Sequence, residues 1–132
     1  MTDTELEKML RDDGWPVERL DDTTWRSGFQ SGNERFRFFI RLVKDWLYLT
    51  IIPFAQLPAE QTLELAMLRR LLVLNREITL AKFALDKRDV VLTVELATEG
   101  LSWTHLKDAL DALTFYASKH HAEVTGFAPS NN

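Results

Sequence analysis

The chain has 132 residues, 45% of them hydrophobic and 27% charged, the composition of one folded domain rather than a disordered segment. It contains no cysteine, which excludes a disulfide framework, a cysteine-held metal and a thiol nucleophile and fits a reducing compartment such as the cytoplasm. A formal net charge of −4 weighs against binding nucleic acid, and no apolar run approaches the roughly 18 residues of a membrane span. The opening Met1-Thr2-Asp3-Thr4-Glu5 is acidic and polar, unlike a secretory signal. One domain is expected over residues 1–124, followed by a loose tail over 125–132 that contains Gly126 and Pro129.

The first helix is expected over about Asp3 to Asp12. Leu6, Met9 and Leu10 form its apolar stripe, Thr2 or Thr4 can cap it, and Gly14 with Pro16 stops it. A β-rich block follows. Thr24 to Gln30 reads as a strand with Trp25, Ser27 and Phe29 on one face. Beyond the turn at Ser31-Gly32-Asn33, Phe36, Phe38, Ile40 and Leu42 alternate with Arg35, Arg37, Phe39 and Arg41, the pattern of a half-buried strand. Trp46 to Phe54 is the third strand, joined to the second by the tight Lys44-Asp45 turn, so neighbours run antiparallel.

A second helix is expected over about Ala59 to Leu74, ended by Asn75, a residue that tolerates the left-handed conformation. Leu80 to Leu85 and Val90 to Leu96 are two more strands around the Asp86–Asp89 turn. Ser102 can cap a last helix over about Trp103 to Ala122, with Leu106, Ala109, Leu110, Leu113, Tyr116 and Ala117 as its apolar stripe. The order α-βββ-α-ββ-α gives an α+β domain, an antiparallel sheet of about five strands with helices packed on it.

The second helix carries more apolar surface than one sheet requires. At 100° per residue, Leu63, Met67, Leu71 and Leu74 fall within about 80° of one another. Leu65, Leu68 and Leu72 form a second stripe more than about 60° away. Two stripes imply burial on two sides, either against another helix of the chain or against a twofold copy of it. On the copy reading, Leu65, Leu68 and Leu72 are the dimer interface.

Catalytic constellations are wanting. His120 and His121 point about 100° apart on a helix and His105 lies four turns earlier, so they do not make a metal site and read as exposed helix-end residues. Asp12-Asp13 and Asp21-Asp22 read as solvated turn formers. Neither a glycine-rich phosphate loop nor a GxSxG elbow occurs. No catalytic residue and no cofactor is therefore expected, and the chain reads as a non-enzyme. The basic strand face with Phe39 could in principle take single-stranded nucleic acid, but the acidic chain and the missing RNP pattern point to a solvated or protein-binding face. Four tryptophans, among them Trp25 and Trp46 on strands, serve packing or anchor a peptide.

The second half resembles the YbjN family of bacterial sensory transduction regulators. The residues that carry the likeness are Leu71-Leu72-Val73-Leu74-Asn75, Ala81 to Asp86, Val90 to Leu96, and Ala109-Leu110-Asp111-Ala112-Leu113. The domain of that family is similar to the type III secretion chaperone fold. The resemblance implies a twisted antiparallel sheet, a homodimer built on the second helix, and capture of an extended partner segment by strand addition or in an apolar groove. Partner contacts are then expected at Arg37, Phe39 and Arg41 and at exposed Trp46 and Trp25. The alternative is a sensory domain holding a small molecule in an aromatic-lined cavity between sheet and helices.

Overall fold

A computed structural model describes residues 1–127. The chain forms α1 (Asp3–Asp12), β1 (Glu18–Arg19), β2 (Thr24–Ser31), β3 (Glu34–Val43), β4 (Trp46–Gln56), α2 (Gln61–Glu77), β5 (Ala81–Asp86), β6 (Asp89–Ala97) and α3 (Trp103–Thr125). The six strands make one antiparallel sheet in the order β1-β2-β3-β4-β6-β5. The expected α+β class holds, with one strand more than the sequence suggests.

That extra strand, β1, has two exposed polar residues and no hydrophobic alternation. It forms because Glu18 and Arg19 pair with Arg26 and Trp25, and because the Leu20 N–H donates to the Thr24 carbonyl. Such a strand is made by its neighbour rather than by its own sequence. β4 runs on to Gln56 through Pro53, which lies where the register with β6 shifts between Ile51 and Ala55. A residue without an N–H is accommodated at such an irregularity.

Alternation decides the two faces of the sheet. Trp25, Phe38, Ile40, Leu47, Leu49, Leu92 and Val94 are wholly buried. Against them pack Leu6 and Leu10 of α1, Met67, Leu71 and Leu74 of α2, and Leu106, Leu110, Leu113 and Ala117 of α3. Aromatic rings continue the core along one side: Phe36 to Phe54 at 6.3 Å and Phe54 to Phe83 at 5.4 Å. The inward rows thus meet the helices, and among the described residues no helix packs on the opposite sheet face.

At the helix ends some expectations hold and others need correction. Thr2 caps α1 and Ser102 caps α3, where the Ser102 N–H also donates to His105 Nδ1. Asn75 does not end α2, which continues to Glu77. Its amide is occupied elsewhere: Nδ2 donates to the Phe83 carbonyl at 2.9 Å and Oδ1 accepts the Phe83 N–H at 2.6 Å. His120 is not an exposed helix-end residue but 6% exposed, its ring stacked 6.2 Å from Tyr116. α3 extends three residues past the expected end, so Thr125 is helical and Gly126 caps it. Residues 128–132 of the expected tail lie outside the described residues.

Candidate functional site

The uncovered sheet face is built from the residues that alternate with the core. One row across it runs Arg26, Phe39, Thr50, Thr93 and Lys82 on β2, β3, β4, β6 and β5. The next row runs Thr24, Arg41, Tyr48 and Glu95, and Gly28 faces Arg37 on the other side of the first. Val43, Trp46 and Ala97 close the face at one end. Arg37, Phe39, Arg41 and Trp46, anticipated as partner contacts, therefore share one surface. Trp46 is 47% exposed and Phe39 half-buried.

Trp25 does not belong with them. It is wholly buried, and its indole N–H donates to Glu7 Oε1 at 2.8 Å. Pairing with Ile40 places it on the inward row, so the expected exposure is corrected to a core role. Trp25 ties α1 to the sheet, with the Arg19 guanidinium 5.1 Å over its ring.

Between β2, β3 and β4 the face sinks into an open depression of about 560 Å³, lined by Thr24, Phe39, Arg41, Val43, Tyr48 and Ile52 among others. The threonine hydroxyls at its edge are satisfied. The Thr93 hydroxyl donates to the Leu49 carbonyl at 3.2 Å, so the Thr50 hydroxyl is left to donate to Thr93 Oγ1 at 2.8 Å. Tyr48, Thr50 and Thr93 were not singled out from sequence. Tyr48 could have been, because it shares strand parity with Trp46. Thr93 needed the β4–β6 register, which no local pattern supplies.

The charges divide into engaged and free. Arg26 pairs with Glu18, and Lys82 with Glu95 at 3.0 Å. Arg35, Arg37 and Arg41 are exposed, and among the described residues no carboxylate lies within ion-pairing distance of any of them. Acidic groups near the site are committed to local structure. Asp21 accepts the Thr23 N–H at 2.9 Å, which holds its carboxyl below the ordinary range. Glu18, also at the face, pairs with Arg26.

A second apolar surface lies on α2. Met67, Leu71 and Leu74 face the core, as the first stripe requires. In the second stripe, Leu65 is 51% and Leu72 71% exposed, while Leu68 is half-buried against the core. No helix of the described chain covers it. The bidentate Arg70–Glu123 pair fastens one side of α2 to α3. The Asn75–Phe83 clamp and the Glu64–Arg88 pair at 3.5 Å lay its other side antiparallel along β5. Leu68 and Leu72 therefore flank the free edge of the sheet, where Leu85 is 47% exposed.

Comparison with known proteins gives the fold its relatives. The family model YbjN, described as "Putative bacterial sensory transduction regulator", matches residues 2–119. No curated protein sequence matches the chain. Among solved structures, the chain resembles YbjN from E. coli, described as a putative transcription regulator, with TM-score 0.67, 15% identity and 91% of each chain covered. A chain of the heterodimeric ExoU–SpcU complex from the type III secretion system of Pseudomonas aeruginosa matches with TM-score 0.63 and 20% identity, over 92% of this chain and 96% of that one. The Yersinia pestis type III secretion chaperone SycH, in complex with a stable fragment of YscM2, matches with TM-score 0.55 and 18% identity, over 88% and 96%.

Proposed function

Because this chain belongs to the YbjN family and has the fold of type III secretion chaperones, we propose that it is a non-enzymatic protein-interaction domain that holds an extended segment of a partner protein. One observation carries the reading: every helix packs on one side of the sheet, leaving Phe39, Trp46 and Tyr48 beside Arg37 and Arg41 on an uncovered side. A mixed aromatic and arginine surface is the composition that protein interfaces favour. Structural relatives seen in complexes with partner proteins support the same use of the fold. The second α2 stripe, Leu65, Leu68 and Leu72, supports pairing with another copy of the chain.

A small-molecule sensor has less support. Between sheet and helices the rings of Phe36, Phe54 and Phe83 pack on one another, and the recess of about 320 Å³ between Phe36 and α3 is open rather than enclosed. The depression on the outer face is open rather than enclosed.

Binding of an array of unstructured peptides about 15 residues long tests the proposal. A subset is expected to bind, and Phe39→Ser or Trp46→Ser should weaken that binding roughly tenfold or more while the protein stays folded. An array without binders, or binding indifferent to both substitutions, overturns it.

A further inference from the structure

The arginines on the outer face point to the chemistry of the segment it holds. In a chain of net charge −4, three cations on one strand have no carboxylate partner among the described residues: Arg35, Arg37 and Arg41. They alternate along β3 with the core residues Phe36, Phe38 and Ile40, and Phe39 occupies the one outward position between Arg37 and Arg41. Beside them lies a recess of about 300 Å³, lined by Val17, Arg26, Gly28, Arg35 and Arg37 among others. Gly28 sits opposite Arg37, where a Cβ would come within 2.8 Å of the Phe36 carbonyl, so only glycine lets the strands approach this closely beside the recess. Glu18, also at this recess, is engaged with Arg26, and Asp21, beside Arg41, is held by Thr23.

We propose that the partner segment held on this face is acidic. It is an extended peptide with aspartate or glutamate at alternate residues, its carboxylates between Arg35, Arg37 and Arg41 and an apolar side chain against Phe39 and Tyr48. The proposal rests on the reading of this face as the partner surface and adds the partner's chemistry. Same-face residues of an extended chain recur about every 6.8 Å, and a ligand strand lying along β3 has the same repeat as the arginines. The matching pattern is acidic-x-acidic-x-apolar-x-acidic. Guanidinium groups recognise carboxylates with two parallel hydrogen bonds, so the free arginines supply orientation as well as charge. A continuous phosphate backbone fits less well. The chain carries a net charge of −4, which opposes an unbroken polyanion, whereas a peptide places charge only at every second residue.

Fluorescence anisotropy tests this with four labelled probes. They are a peptide of the stated pattern, a peptide of equal composition with its acidic residues contiguous, a lysine counterpart, and an oligothymidine strand. The patterned peptide should bind severalfold more tightly than the contiguous one, and the lysine counterpart should not bind. Arg37→Glu with Arg41→Glu should weaken binding about tenfold or more, as should raising salt from about 50 to 500 mM. Melting temperatures should not move, because both arginines are exposed. Peptide binding that is lost on Phe39→Ser but blind to charge overturns the acidic partner and leaves the protein-interaction reading intact. Failure of every peptide at this face overturns both. Oligothymidine binding more tightly than any peptide, and lost on Arg37→Glu, assigns the face to nucleic acid instead.

Discussion

The carboxamide of Asn75 meets both polar groups of the Phe83 backbone, one as donor and one as acceptor. β5 is the last strand of the sheet, so these groups would otherwise face solvent or another chain. A side chain from α2 thus completes part of the edge. The amide matters because it offers a donor and an acceptor on one carbon at any pH. Asn75→Ala should lower stability by about 1–2 kcal/mol, since two part-buried backbone groups lose their partners and water restores them incompletely. Asn75→Asp tests the geometry more closely. It keeps an acceptor for the Phe83 N–H but sets a carboxylate oxygen against the Phe83 carbonyl. Its deficit relative to the parent should therefore shrink as pH falls and the new carboxyl gains a proton. Urea denaturation across pH reads both effects. A deficit that does not vary with pH would show that the contact is packing alone.

Among elements, α2 begins on an unusual cap. Glu60 accepts the N–H groups of Thr62 and Leu63 at 3.0 and 2.9 Å, and these bonds, in that order, hold its carboxyl below its ordinary value of 4.5. A carboxyl with a depressed folded pKa adds stability above its ordinary value and loses it as pH falls through the folded value. Glu60→Gln retains an acceptor but not the charge. The gap in stability between parent and variant should therefore be fully present above the ordinary value of 4.5 and close as pH falls below it, through the lowered folded value. Comparing the two isolates Glu60 from Asp3 and Asp21, whose carboxyls are also held low. Parallel acid limbs in urea titrations would remove Glu60 from the cap. The elements differ in how legible they are in the sequence. β3 is plain because Phe36, Phe38 and Ile40 alternate with arginines, and the same alternation brings Arg37, Phe39 and Arg41 together. β1 is silent because Glu18 and Arg19 carry no pattern and pair only because β2 is there. Trp25 groups correctly with Ser27 and Phe29, but β2 alone does not say which of its faces is inward. The register that sets Trp25 against Ile40 decides that, and it is a tertiary fact.

At the scale of the molecule, the proposed partner face and the proposed dimer stripe lie apart and would not compete. The partner face centres on β3, on the side of the sheet away from the helices. The Leu65, Leu68 and Leu72 stripe lies on the helical side by β5, three strand spacings or roughly 14 Å across the sheet. A dimer joined along α2 and the β5 edge would leave both partner faces open. Such a dimer links stability to mass action, because two folded chains hold apolar area that one leaves in water. The melting temperature should then rise by about 2–4 °C for each tenfold increase in protein concentration. Leu72→Asp makes the sharper comparison than Leu68→Asp. Leu72 is 71% exposed, so the charge does not disturb the protomer, whereas half-buried Leu68 also packs on the core. The Leu72→Asp protein should melt at one temperature regardless of concentration and scatter light as a 15.3 kDa monomer, yet bind the patterned acidic peptide as the parent does. A parent whose melting temperature ignores concentration and which scatters as a monomer would mean that the stripe is not a dimer interface. Loss of peptide binding in the Leu72→Asp monomer would mean that the two surfaces are not independent.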